Sequence, residues 1–186
     1  MMRTWTVDEY HQLIKAGVFA KDEKFELLEG WIVPKMSRNP PHDAAMDQTQ
    51  EQLHPRLPKG WRLRIQSAIT TADSEPEPDI AVVRGAARDY SSRHPGQGDI
   101  AMIIEVAESS LGEDRRDKAR IYARAAINVY WIVNLVDMQL EVYTDPSGPI
   151  ASPAYAKRQD YKPHESAPLI IDGQTLSNIP VRDLLP

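Results

Sequence analysis

The sequence predicts an α/β (α+β) protein in which a mixed β-sheet is flanked by helices. Three observations favour this class: short apolar runs bounded by turn residues, segments with apolar residues at helical spacing, and the alternation of the two along the chain. In order, the core reads helix, three strands, helix and two strands, so its first six elements follow αβββαβ.

A helix and a hairpin are predicted ahead of this core. Thr6 and Glu9 have the spacing of a capping box, so we expect a helix over about 7–15. Apolar residues at 25–33 flank Gly30 and predict a hairpin that turns there.

The core elements follow from the period of their apolar residues. Helices are predicted over about 41–54 and 113–127, where these residues recur on one helical face. Alternating apolar and polar residues predict a strand at 61–66. Continuous apolar runs predict four more strands, at 80–83, 100–104, 129–133 and 140–143.

The C-terminal segment is expected to be ordered. From residue 146 onward it carries seven of the fifteen prolines, but it also contains apolar residues at 169–171 and 184–185. These indicate a tail that wraps around the core. Because 186 residues correspond to about one domain of ~150 residues, we assign 1–186 to a single domain with a core at about 25–145.

Composition excludes several classes of protein. Without cysteine the chain has no disulfides, thiol nucleophiles or cysteine-based metal sites. A net charge of −5 argues against non-specific binding of nucleic acid through overall charge, although a local basic patch stays open. Since no signal sequence or membrane span is evident, we expect a cytoplasmic protein without a membrane partner.

Two polar patterns do not indicate a site by themselves. The histidines at 11, 42, 54, 94 and 164 form neither HExxH nor HxH, so zinc is not expected. The carboxylates at 73, 75, 77 and 79 alternate along a proline-containing segment. They could attract cations, but a solvated strand entry explains them without a function.

Two carboxylates at the ends of predicted strands favour a metal site. Glu105 follows four apolar residues, and an unpaired carboxylate in such a dry strand costs several kcal/mol or takes up a proton. Asp79 opens the strand at 80–83. If the two strands are neighbours, both side chains converge at one end of the sheet and provide the oxygen ligands that Mg²⁺ prefers.

Lys118 lies on the apolar face of the helix at 113–127 and could reach the end of the Glu105 strand. Each residue also has an ordinary explanation: a buried ion pair for Glu105, a turn for Asp79, and an i, i+4 pair with Asp114 for Lys118. The three together favour a functional site.

This order of residues resembles the PD-(D/E)XK nuclease superfamily, and more closely the bacterial family of putative restriction endonucleases. The resemblance spans roughly residues 5 to 185. It is carried by the helix of His42 and by the segments FELLEGWIV, SEPEPDIAVV, IIEVAESSLGEDRRDKARIYA and INVYWIVNL. It implies a restriction-endonuclease-like core.

The resemblance also implies a Mg²⁺-dependent endonuclease that hydrolyses phosphodiester bonds in DNA. Asp79 and Glu105 would hold Mg²⁺, or alternatively Mn²⁺, and Lys118 would orient the attacking water or neutralise developing charge. Glu26 matches the family's early glutamate and would complete the metal shell or support it. His42 matches a recurrent family histidine, although a core histidine is an equal alternative.

The sequence departs from the superfamily pattern at Ala107, where the lysine of the motif usually stands. The lysine role would then pass to Lys118. For DNA contact, Arg116 and Arg120 belong to a row with Arg124 on another helix face, which a solvated face would also explain. The arginines of the loop at 84–94 lie at the far end of the Asp79 strand.

Two other functions stay open at this point. The chain could be a catalytically inactive nuclease fold that serves as a binding or assembly module. Asp79 and Glu105 could also act as a general acid and base on a small substrate. A homodimer is expected because two-fold pairs are the commonest soluble assemblies.

Overall fold

A six-stranded mixed sheet forms the centre of the computed structural model, which describes residues 3–20, 23–35 and 39–186. Its strands are β3 (Trp61–Ile65), β4 (Ile80–Arg84), β5 (Ile100–Ala107), β6 (Val129–Asn134), β7 (Gln139–Pro146) and β8 (Tyr155–Tyr161). The sheet order is β3-β4-β5-β6-β7-β8. Strands β5 and β6 pair in parallel, and the other neighbours pair antiparallel.

Two hairpins complete the strands of the described residues. One consists of β1 (Phe25–Leu28) and β2 (Trp31–Pro34) and turns at Gly30, as predicted. The other consists of β9 (Ser166–Ile171) and β10 (Gln174–Pro180).

Helix α1 (Val7–Lys15) begins with the predicted capping box, in which the Thr6 hydroxyl accepts from the Glu9 amide at 3.2 Å. Helix α2 (Pro40–Leu53) begins at Asn39. Helix α3 runs through three consecutive segments, Leu111–Glu113, Asp114–Lys118 and Ala119–Arg124, the middle one a π-helical turn. Short 3₁₀ turns lie at His54–Arg56, Ala87–Tyr90, Gln97–Asp99 and Val181–Asp183. Within the described ranges, each helix is too short or too polar to cross a bilayer.

Apolar cores lie on both faces of the sheet. Residues of α2 and the β9–β10 hairpin, such as Leu53 and Leu169, join Ile104 and Trp131 on one face. Residues of α3 and β1, such as Tyr122 and Leu28, join other residues of the same strands on the opposite face. The apolar runs read from the sequence are continuous for this reason, since a sheet that is covered on both sides buries successive side chains.

The C-terminal tail is ordered, as expected, but its strands were not predicted. Strand β8 extends the main sheet beyond the core boundary at 145, and β9 and β10 cover one face of it. The side chains of β8 between its two terminal tyrosines are exposed, so this edge strand has no apolar period to read.

Gly30 connects β1 to β2 with a φ of 79°, a conformation that favours glycine. A Cβ at this position would lie 2.6 Å from the Cβ of Thr4 and 3.1 Å from the carbonyl oxygen of Trp5. We therefore expect Gly30→Ala to lower the free energy of unfolding, measured in urea, by more than the ~1–2 kcal/mol of a left-handed residue alone.

Gly17→Ala is the matched control, because Gly17 has a φ of 70° but no heavy atom within 4 Å of the new Cβ. Equal losses in the two variants would show that the packing around the hairpin turn is looser than described.

Candidate active site

Antiparallel pairing of β4 and β5 brings two carboxylates together. Ile80 pairs with Ile104, so that Asp79 and Glu105 lie opposite each other one residue further on. The backbone amide of Asp79 donates to Oε2 of Glu105 at 3.1 Å, and the amide of Val106 donates to Oδ2 of Asp79 at 2.9 Å. Both side chains are buried. The convergence expected from the sequence is therefore present.

Lys118 reaches this pair from α3. Its Nζ lies 3.5 Å from Oε1 of Glu105 and 3.2 Å from the carboxylate of Glu26. Asp114, its expected i, i+4 partner, instead accepts a hydrogen bond from the Ser110 hydroxyl at 2.7 Å. Lys118 is buried and faces the sheet, as its position on the apolar stripe predicted.

The β1–β2 hairpin contributes Glu26 and Lys35. Glu26 accepts a hydrogen bond from the backbone amide of Glu77 at 2.6 Å. Lys35 donates to the carbonyl oxygen of Glu77 at 2.7 Å, and its Nζ lies 3.8 Å from Glu26. Sequence reasoning missed Lys35, although its place directly after an apolar strand resembles that of Asp79 directly before one.

His42 lies in the first turn of α2, where its backbone amide donates to the side chain of Asn39 at 3.1 Å. Its Nε2 is 3.1 Å from Oδ2 of Asp79. The structure therefore brings five of the seven predicted site residues together, namely Glu26, His42, Asp79, Glu105 and Lys118.

The two carboxyl groups have opposite shifts of pKa. Burial raises the pKa of Asp79, but the hydrogen bond and charge of His42 and the amide of Val106 outweigh it, so the pKa lies below its ordinary value. Burial also raises the pKa of Glu105. Lys118 opposes that effect while the charge of Asp79 adds to it, and the pKa stays above its ordinary value.

Lys118 keeps its proton despite burial. Burial lowers the pKa of the amine, but the charges of Glu105, Glu26 and Asp114 outweigh it and hold the pKa above its ordinary value. Tyr122, which lies on the same helix face, donates its hydroxyl to Glu105 at 2.6 Å. The position of Tyr122 one turn beyond Lys118 was the available signal for this contact.

The five predicted residues that meet here and Lys35 line an open cleft of about 90 Å³ whose wall is strongly acidic. Its described lining includes two lysines, 35 and 118, and seven carboxylates, at 26, 77, 79, 105, 108, 113 and 114. Burial and the charge of Glu105 hold the pKa of Asp114 well above its ordinary value. Such an excess of carboxylates favours a bound cation.

The donor set fits Mg²⁺, which takes oxygen ligands from one or two carboxylates. Within the described part of the chain, the Oδ1 atom of Asp79 accepts no hydrogen bond, and Asp79 lines the cleft.

The arginine row of α3 does not reach this cleft. Arg116 is exposed, while Arg120 donates to Glu29 at 2.9 Å. Arg124 lies 2.7 Å from Glu29 and 2.6 Å from Asp73. Arg120 and Arg124 therefore fasten the turn of the β1–β2 hairpin to α3.

Comparison with known proteins places the chain among nuclease-related sequences. Residues 7–176 match the profile of the Uma2 family, described as "Putative restriction endonuclease". The fold is similar to the crystal structure of a putative nuclease belonging to DUF820 from Anabaena variabilis, with a TM-score of 0.62, 16% sequence identity and 96% of each chain covered. No curated protein is significantly similar in sequence.

Replacing Lys118 with Met tests the charge balance of the site. We expect a loss of about 3–5 kcal/mol in the free energy of unfolding at pH 7, because Glu26 and Glu105 lose their shared cation inside the protein. The loss should shrink toward pH 4 as Glu105, whose pKa lies above its ordinary value, takes up a proton. Arg116→Met, an exposed change on the same helix, should stay within about 0.5 kcal/mol of wild type.

The depressed pKa of Asp79 predicts a pH-dependent contribution to stability. That contribution is fully present above the ordinary value of 3.8 and is lost as the pH falls through the depressed value. We expect His42→Ala to raise the pKa of Asp79. The measurement is an NMR titration of the carboxyl carbon of Asp79. His42→Ala should also lower the free energy of unfolding by roughly 1.5–3 kcal/mol at pH 7.

The difference in stability between His42→Ala and wild type should diminish below about pH 4 as Asp79 becomes protonated in both proteins. His54→Ala, at an exposed histidine, is the control. An unchanged Asp79 titration in His42→Ala would mean that the Val106 amide and the charge of Lys35 hold the carboxylate ionised without His42.

Proposed function

Since the chain belongs to the Uma2 family of putative restriction endonucleases, we propose that it is a Mg²⁺-dependent endonuclease that hydrolyses phosphodiester bonds in DNA. The observation that carries the proposal is the convergence of Asp79, Glu105 and Lys118. The Asp79 amide and the Lys118 amine both donate to the Glu105 carboxylate, at 3.1 and 3.5 Å, in one acidic cleft.

Asp79 and Glu105 are the residues that would hold the metal ion. When bound there, Mg²⁺ supplies a coordinated water of lowered pKa and offsets negative charge on the phosphate. His42 keeps Asp79 ionised and oriented through their hydrogen bond. Glu105 has a raised affinity for protons, so a divalent cation would compete with a proton for this carboxylate.

Lys118, which lies on α3, takes the role that the superfamily motif gives to a lysine on the β5 strand. At Ala107 the β5 strand offers no amine, whereas the α3 lysine reaches the same carboxylate from above the sheet. Because its pKa is held above the ordinary value, Lys118 acts as a fixed positive charge beside the phosphate and not as a proton acceptor. Glu26 orients Lys118 through their contact at 3.2 Å.

A binding or assembly module is the second candidate, and the pairing of the cations favours it. Lys118 already has two carboxylate partners, and Arg120 and Arg124 are bound to acidic side chains. These contacts leave little positive charge near the cleft for DNA in the described structure. Metal binding without cleavage is the property that distinguishes this candidate.

Calorimetric titration with Mn²⁺ tests the metal site without a choice of substrate. We expect saturable binding in wild type and at least about ten-fold weaker binding in Asp79→Asn and Glu105→Gln, each of which removes one charged ligand. Asp172→Asn replaces an exposed aspartate of the β9–β10 turn and should bind as wild type does. Equal affinity in all four proteins would place the ion elsewhere.

Cleavage of supercoiled plasmid with Mg²⁺ then tests the activity, with single-stranded RNA as the competing substrate. We expect nicking of DNA that is abolished by EDTA, lost in Asp79→Asn, and reduced at least about 100-fold in Lys118→Ala. Mn²⁺ binding without any cleavage would favour the binding module. Metal-independent hydrolysis of a small substrate with a bell-shaped pH profile would instead indicate general acid–base chemistry.

A further inference from the structure

A second cluster of metal-ligating side chains lies outside the nuclease cleft. His11 on α1, Glu75 in the segment before β4 and His94 in the loop between β4 and β5 each offer one ligand atom, all within 4.8 Å of one another. We propose that these three residues form a binding site for a divalent transition-metal ion of the zinc class. The site does not rest on the nuclease proposal, since none of the three lines that cleft.

The distances between the ligand atoms suit a tetrahedral ion. Nε2 of His11 lies 2.7 Å from Oε2 of Glu75, and Nε2 of His94 lies 3.9 Å from Oε1. Bonds of about 2.1 Å to zinc place tetrahedral ligands about 3.4 Å apart. The observed distances lie on either side of that value, so small rotations of two half-exposed imidazoles would bring all three residues onto one ion.

The type of ligand separates this site from the acidic cleft. Two imidazoles with one carboxylate suit borderline ions such as Zn²⁺, whereas Mg²⁺ prefers oxygen alone. Three protein ligands also leave a fourth tetrahedral position open. No other group of three such side chains meets this spacing in the described ranges.

Contacts around Glu75 hold the cluster in place. Its carboxylate is 3% exposed and accepts a hydrogen bond from the Thr70 hydroxyl at 2.8 Å. Its backbone amide donates to the carbonyl oxygen of Leu27 at 2.7 Å, and the amide of Thr70 donates to Pro95 at 2.9 Å, next to His94. Such hydrogen bonds fix the orientation of a metal-ligating carboxylate.

An ion and a further ligand can reach the site from solvent. All three residues line an open cleft of about 790 Å³, whose wall also includes Ile14 and Tyr90. The ligands come from three separate segments, so a bound ion would fasten α1 to the strand entry and to the loop. We therefore expect zinc to raise the melting temperature of the protein.

Zinc titration by calorimetry of the full chain tests the site. With excess Mg²⁺ present to occupy the acidic cleft, we expect one saturable Zn²⁺ in wild type. Its affinity should be at least ten-fold lower in His11→Gln and in His94→Gln, whose side chains are 46% and 41% exposed and tolerate replacement. His164→Gln, at an exposed histidine remote in sequence, is the matched control. In the same excess of Mg²⁺, Asp79→Asn should keep the Zn²⁺ that the histidine variants lose, because it alters only the nuclease cleft.

Two readouts decide the outcome. Co²⁺ in place of Zn²⁺ should give the absorption of a tetrahedral nitrogen–oxygen site in wild type and lose it in both cluster variants. Zinc should raise the melting temperature of wild type and His164→Gln but not of His94→Gln. Absent zinc binding in wild type, or binding that is lost in Asp79→Asn and kept in the histidine variants, would overturn the proposal.

Discussion

Burial of the Glu105 carboxylate in the middle of the sheet constrains most of the surrounding structure. A carboxylate there needs hydrogen bonds and a nearby cation, which the Asp79 amide, Tyr122 and Lys118 provide. Lys118 is in turn buried, and its remaining charge is balanced by Glu26. Glu105 thus links α3 directly, and the β1–β2 hairpin through Lys118, to the centre of the sheet.

A π-helical turn in α3 carries the lysine that neutralises the buried Glu105 carboxylate. It covers Asp114–Lys118, the stretch whose two end residues are both buried at the cleft. Turns of this kind often occur inside helices at functional sites. Beyond it, Ile121 and Tyr122 resume the apolar face of the helix against the sheet. The helix thus presents two ionisable groups to the site through this turn while its apolar face packs against the sheet.

Much of this arrangement could be predicted from the sequence because it rests on local patterns. The Thr6 capping box, the Gly30 turn and the apolar strands have short-range signals, and Lys118 could be placed by helical period alone. Strand β8 could not be predicted, since its exposed residues have no apolar period. The cluster of His11 and His94 had no signal either, because loop geometry and not spacing brings the residues together.

The carboxylates of the acidic segment at 73–79 are more than a solvated strand entry, which was one explanation of their alternation. Each carboxylate meets a different basic residue from a different part of the chain. The pairs are Asp73 with Arg124, Glu75 with His11, Glu77 with Lys35, and Asp79 with His42. Residues two apart on an extended chain are about 6.6 Å apart, which leaves room for a separate basic side chain at each carboxylate. The segment thus positions α1, α2, α3 and the β1–β2 hairpin separately, and both proposed metal sites depend on it.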